Sequence, residues 1–581
     1  MHKKQKYYIG LANTFHDPAI ALVNSDGQVL FAEASERPLQ QKRAFCSPAD
    51  VRQVVRNILK EYCDPRGEFV LVKPWSSKMQ NFMDLMGLLG STNHEMIPRR
   101  PERMTKFLCT KDVLFSTLWI QYAGFKQSGG HVADILKTEF RNSRVSFVKV
   151  PHHHAHAANA CFTSPFEKAA CVVIDGQGEW GSMSYFAYEQ GRLRPVYQVK
   201  GPESLGIVYG LCTEFCGFNI EKGEEWKLMG LAPYGQLDPE VLTALRGLVR
   251  VDGLSIRYPA LPEIEGWFKR MKAKARTSDM TALQVADLAF TSQFFYAEVM
   301  DQLLNNFFQH SISDNLVLGG GCGLNSSYNG EIVRRTKFKH LHVPSAPADD
   351  GNALGSALLA YYQDHPEAKP KAEVHSPFLG SSMSKGTIEN LATFGGLHKL
   401  RHLPGSIHRE TARLLADGKL VGWVQGRAEF GPRALGNRSI LADPRPADMK
   451  DKINSRVKFR EEFRPFAPSI LDEFGDEYFE NYQVSPYMER TLKFKEAAKA
   501  KVPAIVHVNA TGRLQSVRRE WNPLYYDLIR AFWELTGVPM LLNTSFNIMG
   551  KPIIHSVEDA IGLFYTTGLD ALVLEDYLIE K

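Results

Sequence analysis

Residues 169–199 read AACVVIDGQGEWGSMSYFAYEQGRLRPVYQV. An apolar run, Ala170–Ile174, stops at Asp175 and a set of glycines. A second run, Met183–Tyr188, is closed by a turn at Gly191, and a third strand-like stretch follows. Short apolar runs rich in β-branched and aromatic residues, bounded by Gly and Asp, predict strands. Residues 7–36, YYIGLANTFHDPAIALVNSDGQVLFAEASE, repeat the design. Tyr7–Ala12 leads into a polar turn, and Ala19–Val23 and Val29–Glu33 flank Ser25-Asp26-Gly27. Asp-Gly between apolar runs marks a hairpin, because Gly takes the positive-φ position cheaply. Two such units about 160 residues apart predict two related α/β halves around a cleft.

The intervening and following sequence fits that frame. Val51, Val54, Val55, Ile58 and Leu59 recur at helical spacing within Asp50–Cys63, and Ala282–Phe308 reads as a long helix. Asn81–Lys106, Met-rich and then basic, reads as a helical insertion that shapes a pocket. NLVLGGGCGLNSSYNGEI (315–332) is a strand, a glycine turn and a helix, and VPSAPADDGNALGSALLAYY (343–362) is a turn opening a small-residue helix. Three prolines and scattered charge make 364–382 a linker. The expected domains are therefore 1–363 and 383–581.

Composition bounds the function. The 581 residues are 44% hydrophobic and 23% charged, which excludes bulk disorder, collagen and a disulfide-stapled miniprotein. The net charge of +5 is small for this length and does not by itself imply nucleic acid. Eight cysteines without a CxxC read as inert thiols in a reducing compartment. No secretory h-region and no run of 18 apolar residues occurs, so a cytoplasmic protein without membrane contact is expected.

Three constellations could carry chemistry. In PHHHAHAANA, His152 and His156 stand four apart on one helix face, while His153 and His154 point elsewhere. Two such imidazoles are a metal half-site or a cluster of hydrogen-bonded buried histidines. Asp175 and Asp350 are the natural carboxylates to complete a site, and two His with two Asp suit Fe(II), Mn(II) or Zn(II). The turn at Gly319–Gly323 could offer backbone N–H groups to phosphate or could be a packing turn. EKGEEWKLMGLAPYG (221–235) reads by composition as a surface loop. In the C-terminal domain Arg427, Arg433, Arg438 and Arg445 lie within nineteen residues, followed by Arg456, Lys458, Arg460 and Arg464. Interleaved with apolar and acidic residues, they fit a polyphosphate pocket better than a nucleic-acid arm. Asn543, Ser545 and Asn547 in NTSFN would add neutral donors.

The chain resembles the O-carbamoyltransferases of nodulation-factor and antibiotic tailoring. The likeness rests on His16-Asp17, HHHAH, KLMGLAPYG, the glycine turn ending in Leu324-Asn325, QGRAEFGPRALGNRSILADPR, REEFRPFAPS and NTSFN, in that order. It implies an N-terminal duplicated actin-like (ribonuclease-H-type) domain and a C-terminal twisted α/β domain like that of threonylcarbamoyladenylate synthase. The C-terminal domain would join ATP, with Mg, to carbamoyl phosphate as carbamoyladenylate. The N-terminal domain would pass the carbamoyl group to a hydroxyl of a small-molecule natural product. By the same resemblance His152, His156, Asp175 and Asp350 hold a divalent ion, Fe(II) first, with Asp350 chosen because the pattern puts the ligand directly before Gly. His16 would be the general base beside Asp17, while Lys227, Gly230, Gly320, Gly321 and Asn325 would line the adenylate. Arg433 and Lys458, with Arg427, Arg438, Arg445, Arg464, Asn543 and Ser545, would surround ATP and carbamoyl phosphate. The resemblance allows a homodimer. Rival readings are an actin-like kinase or ATPase and a tRNA-modifying transferase. Cys322-Gly323, Lys551 and His555 depart from the family pattern without touching this chemistry.

Overall fold

The computed structural model describes residues 5–14, 16–82, 124, 126–142 and 144–581. The helical insertion expected over 81–106 lies, from 83 onward, outside the described residues. The described residues form two compact units. One is drawn from Met1–Ser35, Arg43–Asn325 and Ile332–His375, and the other from Glu36–Lys42, Ser326–Glu331 and Ser376–Lys581.

The first unit opens with β1 (Lys6–Ala12), β2 (Ala19–Val23) and β3 (Val29–Ala34), joined by antiparallel pairing, with Gly27 at φ 77° in the hairpin turn. Helix α1 (Arg52–Tyr62) leads to β4 (Glu68–Lys73), and α2 (Gly130–Thr138) precedes β5 (Val145–Lys149). The sheet order is β3-β2-β1-β4-β5, with β1, β4 and β5 parallel. Tyr7, Ile9, Leu11, Phe69 and Leu71 bury one face against Val55, Ile58 and Leu59 of α1 and Val132, Ile135 and Leu136 of α2. Both helices carry their apolar residues on one stripe, so burying that stripe fixes them on the sheet.

Next come α3 (His152–Phe162), β6 (Lys168–Ile174), β7 (Met183–Glu189), β8 (Arg192–Gln198) and α4 (Glu225–Leu231). A small hairpin, β9 (Arg250–Asp252) and β10 (Ser255–Arg257), precedes α5 (Ala286–Phe308), β11 (Asn315–Gly319), β12 (His340–His342) and α6 (Gly351–Asp364). The second sheet runs β12-β11-β6-β7-β8. Its β6-β7-β8 meander is antiparallel, and β6, β11 and β12 are parallel. Strand for strand, this is the pairing pattern of the first sheet.

Helix α6 packs on β1, β2 and β4 and, on its other side, on α3, which lies on β6 and β11. Small residues make that double contact. A Cβ on Gly10 of β1 would stand 1.8 Å from the Ala353 carbonyl oxygen, and one on Gly355 would stand 1.9 Å from that of Ala155. The segment read as a surface loop, 221–235, instead contains α4, with Lys227, Leu228, Met229 and Leu231 buried against α5. Its Leu-Met-Gly-Leu run supplies the apolar contacts that composition alone concealed.

The second unit has a nine-stranded sheet, in order β13-β21-β20-β14-β15-β19-β16-β18-β17. Its strands are β13 (Leu400–His402), β14 (Val421–Val424), β15 (Arg438–Ala442), β16 (Ala467–Leu471), β17 (Arg490–Lys493), β18 (Thr511–Val517), β19 (Met540–Ser545), β20 (Ala571–Leu574) and β21 (Tyr577–Glu580). Only β14/β20 and β16/β18 pair in parallel. Helices α7 (Ile407–Ala416) and α8 (Pro523–Thr536) pack together over the sheet, around Trp423, Ile440, Leu528 and Phe532.

Gly355→Ala tests the α3–α6 contact. A helix gains about 1 kcal/mol from Gly to Ala. The added methyl, however, meets a backbone carbonyl that cannot rotate aside. The expected outcome is a net loss of about 1–3 kcal/mol, read from denaturant unfolding.

Candidate functional site

Four side chains converge in the first unit. His152 and His156 come from the first turns of α3, Asp175 from the end of β6, and Asp349 from the turn before α6. His152, His156 and Asp349 are 2%, 1% and 5% exposed. One donor atom from each lies within 4.8 Å of all the others. His156 Nε2 is 3.2 Å from His152 Nε2, 3.1 Å from Asp175 Oδ2 and 3.2 Å from Asp349 Oδ1. His152 Nε2 is 3.5 Å from each of the same two oxygens.

These separations suit a metal ion. Ligand bonds of about 2.1 Å in tetrahedral array place neighbouring donors about 3.4 Å apart. Five of the six separations are 3.1–3.5 Å, and all four donors lie within 4.8 Å of one another. The donor set, two imidazoles and two carboxylates, is that of a borderline-to-hard divalent ion. The supporting contacts point the same way. His156 Nδ1 lies 3.2 Å from the Pro347 carbonyl, which holds the proton on Nδ1 and turns Nε2 inward. Asp175 Oδ1 accepts from Gly176 N at 2.8 Å and Gly321 N at 3.2 Å, so the glycine turn after β11 aims its other oxygen at the histidines. Glu179 accepts from the His152 N–H at 3.1 Å, meeting one donor that the start of α3 leaves open. Without an ion, burial disfavours a proton on His156, but Asp175 and Asp349 outweigh it and push the group up to about 10.

Asp349, and not Asp350, completes the cluster. Asp350 is the residue before α6, and its carboxylate folds back to accept from Gly351 N at 3.0 Å. Successive helical positions are rotated by about 100°, so the adjacent aspartates face different ways. Asp-Asp-Gly cannot reveal which one turns inward. His153 and His154 do face other surroundings: His153 Nδ1 is 2.7 Å from Ser184 Oγ, and His154 packs edge-on to Phe186.

His16 lies beside the cluster, its Nδ1 4.0 Å from Asp349 Oδ2 and 2.9 Å from Asp17 Oδ2. Arg43 donates to that Asp17 oxygen at 3.2 and 3.3 Å, and to the Ile220 carbonyl at 3.0 Å. Desolvation raises the Asp17 carboxyl, yet Arg43 and then His16 outweigh it and hold the group well below the usual range. Desolvation and Arg43 oppose a proton on His16, but Asp17 and Asp349 prevail and raise it. Asp17, Arg43, Ala44 and Cys46 all have positive φ, between 41° and 58°. Such backbone costs free energy and persists where the surroundings impose it. Lys227 pairs with Glu224 at 2.8 Å, and Asn325 exchanges hydrogen bonds with Gln293 at 3.1 Å. Gly321 spends its N–H on Asp175, so that donor orients a carboxylate and is not available to phosphate.

The second unit gathers cations. Burial lowers Arg433 to about 10. Burial, and then Arg460 and Arg464, push Lys458 far below its ordinary value. Arg513, on β18, is pushed far down by burial and by Arg433, Arg460 and Arg464, and its Nε is buried without a hydrogen-bond partner. No carboxylate among the described residues offsets Arg433, Lys458 or Arg513. A cluster of this kind is a site for an anion with several oxygens. The NTSFN turn grips Lys458, whose Nζ donates to the Ser545 carbonyl, to Asn547 O at 2.9 Å and to Asn547 Oδ1 at 2.8 Å.

Other sequence-derived residues serve differently. Arg438 is fully buried and donates to the carbonyls of Gln425, Gly426, Asn437 and Ser381, so its guanidinium braces the backbone. Asn543 donates to Ala434 O, Ser469 Oγ and Gln515 Oε1, bracing the loop that carries Arg433. Glu429 Oε1 accepts from Leu435, Asn437 and Arg438 N–H in the same loop. Arg427 donates to Gly380 O and Leu379 O, and Arg445 is forked onto Asp443 at 2.7–3.0 Å. Arg513 escaped the sequence reading because it stands alone on a strand, outside every arginine-rich motif.

A family model described as the carbamoyltransferase N-terminus matches residues 7–358, and one described as the carbamoyltransferase C-terminus matches 412–581. The chain belongs to the carbamoyltransferase family. As a carbamoyltransferase it is an enzyme of carbamoyl-group transfer. It is 34% identical to the nodulation protein NolNO of Sinorhizobium fredii, over 99% of this chain and 80% of that one. To the 3'-hydroxymethylcephem-O-carbamoyltransferase of Amycolatopsis lactamdurans it is 28% identical, over 79% and 85%. The solved structure of HypF from T. kodakarensis is 12% identical with a TM-score of 0.32, covering 64% of this carbamoyltransferase and 50% of that chain, a likeness too distant to inform the site. Among the described residues, no helix is long and apolar enough to cross a membrane.

The ligand assignment has a direct check. Elemental analysis of purified variants should show metal lost from His156→Ala and Asp349→Ala and kept by His154→Ala and Asp350→Ala. Retention in Asp349→Ala with loss in Asp350→Ala would reverse the assignment.

Proposed function

We propose that the chain is an ATP-dependent O-carbamoyltransferase that works in two steps. In the first, carbamoyl phosphate and water give carbamate and phosphate, and a carbamate oxygen displaces pyrophosphate from the α-phosphorus of ATP to give carbamoyladenylate. In the second, an alcohol oxygen forms a bond to the carbamoyl carbon, the bond to AMP breaks, and the alcohol proton passes to a base. One observation carries the reading: an uncompensated cation cluster and a His/Asp cluster occupy separate compact units. The two steps need those two environments.

Arg433, Lys458, Arg464 and Arg513 would bind ATP, as its Mg complex, and carbamoyl phosphate, whose converging negative charges would offset Arg433, Lys458 and Arg513, which no carboxylate among the described residues balances. In the first unit His16 Nε2 would take the alcohol proton. Its Nδ1–H donates to Asp17, which Arg43 holds in place, so the ring cannot turn away. Lys227, Gly230, Gly320 and Asn325 would line the adenylate. A divalent ion bound by His152, His156, Asp175 and Asp349 would supply Lewis-acid polarisation and stabilise charge on the departing phosphate. Fe(II) is our preferred ion, with Mn(II) and Zn(II) suited to the same donors. The matched strand order of the two sheets supports a duplicated, actin-like first unit, and we read the second as threonylcarbamoyladenylate-synthase-like. The acceptor is a hydroxyl-bearing small molecule, in keeping with the hydroxymethyl group that names the Amycolatopsis relative.

The wild-type chain should release pyrophosphate from ATP only when carbamoyl phosphate is present. Release without it would mark a kinase or ATPase and end the proposal. Arg433→Ala, Lys458→Ala and Arg513→Ala should lose that release yet still consume supplied carbamoyladenylate. His16→Ala should do the opposite, keeping pyrophosphate release and losing transfer by roughly 10²–10⁴-fold. Folded variants that fail both assays alike would refute the two-site division.

A further inference from the structure

The two histidines of the cluster are not held alike at the nitrogen that faces away from it. His156 Nδ1 meets the Pro347 carbonyl, an acceptor, so in the neutral ring that an ion would bind Nε2 offers its lone pair to the cluster. His152 Nδ1 meets Asn352 Nδ2 at 3.5 Å, and an amide nitrogen is only a donor. In this orientation His152 Nδ1 accepts, and a neutral ring carries its proton on Nε2. That is the atom 3.5 Å from the oxygens of Asp175 and Asp349, where an ion would need a lone pair.

Asn352 itself is 0% exposed, and its Oδ1 is buried without a hydrogen-bond partner. Turning the amide by 180° exchanges oxygen and nitrogen with almost no change of shape. Oδ1 is unpartnered as the chain stands, so turning it to the ring breaks no hydrogen bond that it makes. With Oδ1 toward the ring, His152 Nδ1–H donates to it and Nε2 becomes a ligand atom, as in His156. Asn352 lies in the first turn of α6, three residues after Asp349, so the element that carries one ligand also sets another.

We propose that Asn352 is a positioning residue for the metal centre. Its amide turns Oδ1 to the His152 Nδ1–H when a divalent ion binds, and so selects the ring tautomer that ligates. The inference rests on the metal reading of the four-residue cluster. A buried acceptor behind a ligating imidazole fixes its tautomer and orientation and raises its basicity.

Chelator competition with Co(II) as the probe, on the full chain, tests this, with the visible Co(II) spectrum as a second readout. Asn352→Ala and Asn352→Leu should bind Co(II) about 10–100-fold more weakly than wild type, with altered d–d bands. Asn352→Asp, an obligate acceptor at the same place, should match or exceed the wild-type affinity. Unchanged affinity in Asn352→Ala while His156→Ala is weakened would overturn the role of Asn352 alone. Weakening in Asn352→Asp equal to that in Asn352→Ala, with thermal unfolding unchanged, would also overturn it. Equal binding by wild type and His156→Ala would remove the metal reading, and this inference with it.

Discussion

Two carboxylates and two imidazoles whose donor atoms lie within 4.8 Å of one another demand positive charge among them. Taking two carboxylates out of water costs several kcal/mol each unless a counter-charge is close. An imidazolium or a bound cation can meet this demand. His156, pushed up to about 10, supplies the first. The 3.1–3.5 Å separations between each imidazole and the other donors suit the second. Much of the first unit is arranged around that requirement: α3 and α6 approach through Gly355, the glycine turn aims Asp175, and Glu179 holds the start of α3.

The second unit shows the opposite imbalance. Burial pushes Arg433, Lys458 and Arg513 down, neighbouring arginines add to the effect on Lys458 and Arg513, and among the described residues nothing acidic balances these three. Such a cluster is destabilising by itself, and an anion that binds it stabilises the folded unit by mass action. The loop carrying Arg433 is tied at several points, by Glu429, Asn543 and Gln515, against the repulsion of its neighbours. Buried polar groups serve here to hold a charge where it would not otherwise remain. Under the two-step proposal, the anionic intermediate is made where cations are in excess and used where carboxylates and histidines gather.

Strands were the most legible feature of the chain. Ala19–Val23 and Met183–Tyr188 are marked by β-branched and aromatic runs ended by Asp or Gly, and they form strands at those bounds to within a residue. The i,i+4 spacing of His152 and His156 was equally readable, because helical geometry alone puts both rings on one face. The segment 221–235 was less so, since its glycines and charges masked a buried helical stretch. Of the arginines, density in the sequence was a poor guide: Arg438, in the richest motif, braces backbone, whereas isolated Arg513 joins the cation cluster.

The sequence by itself determined the family, the α/β class and the residue types of the two sites, because these depend on local periodicity and on motifs contiguous in the chain. Only the tertiary structure decided which aspartate joins the histidines, which arginines face one another, and that Asn352 stands behind His152. The physical reason is the same for all three. A side chain's direction depends on the rotation of its residue in an element and on what packs against that element. Both are set by contacts with segments up to about 200 residues away in the chain, as between His152 and Asn352.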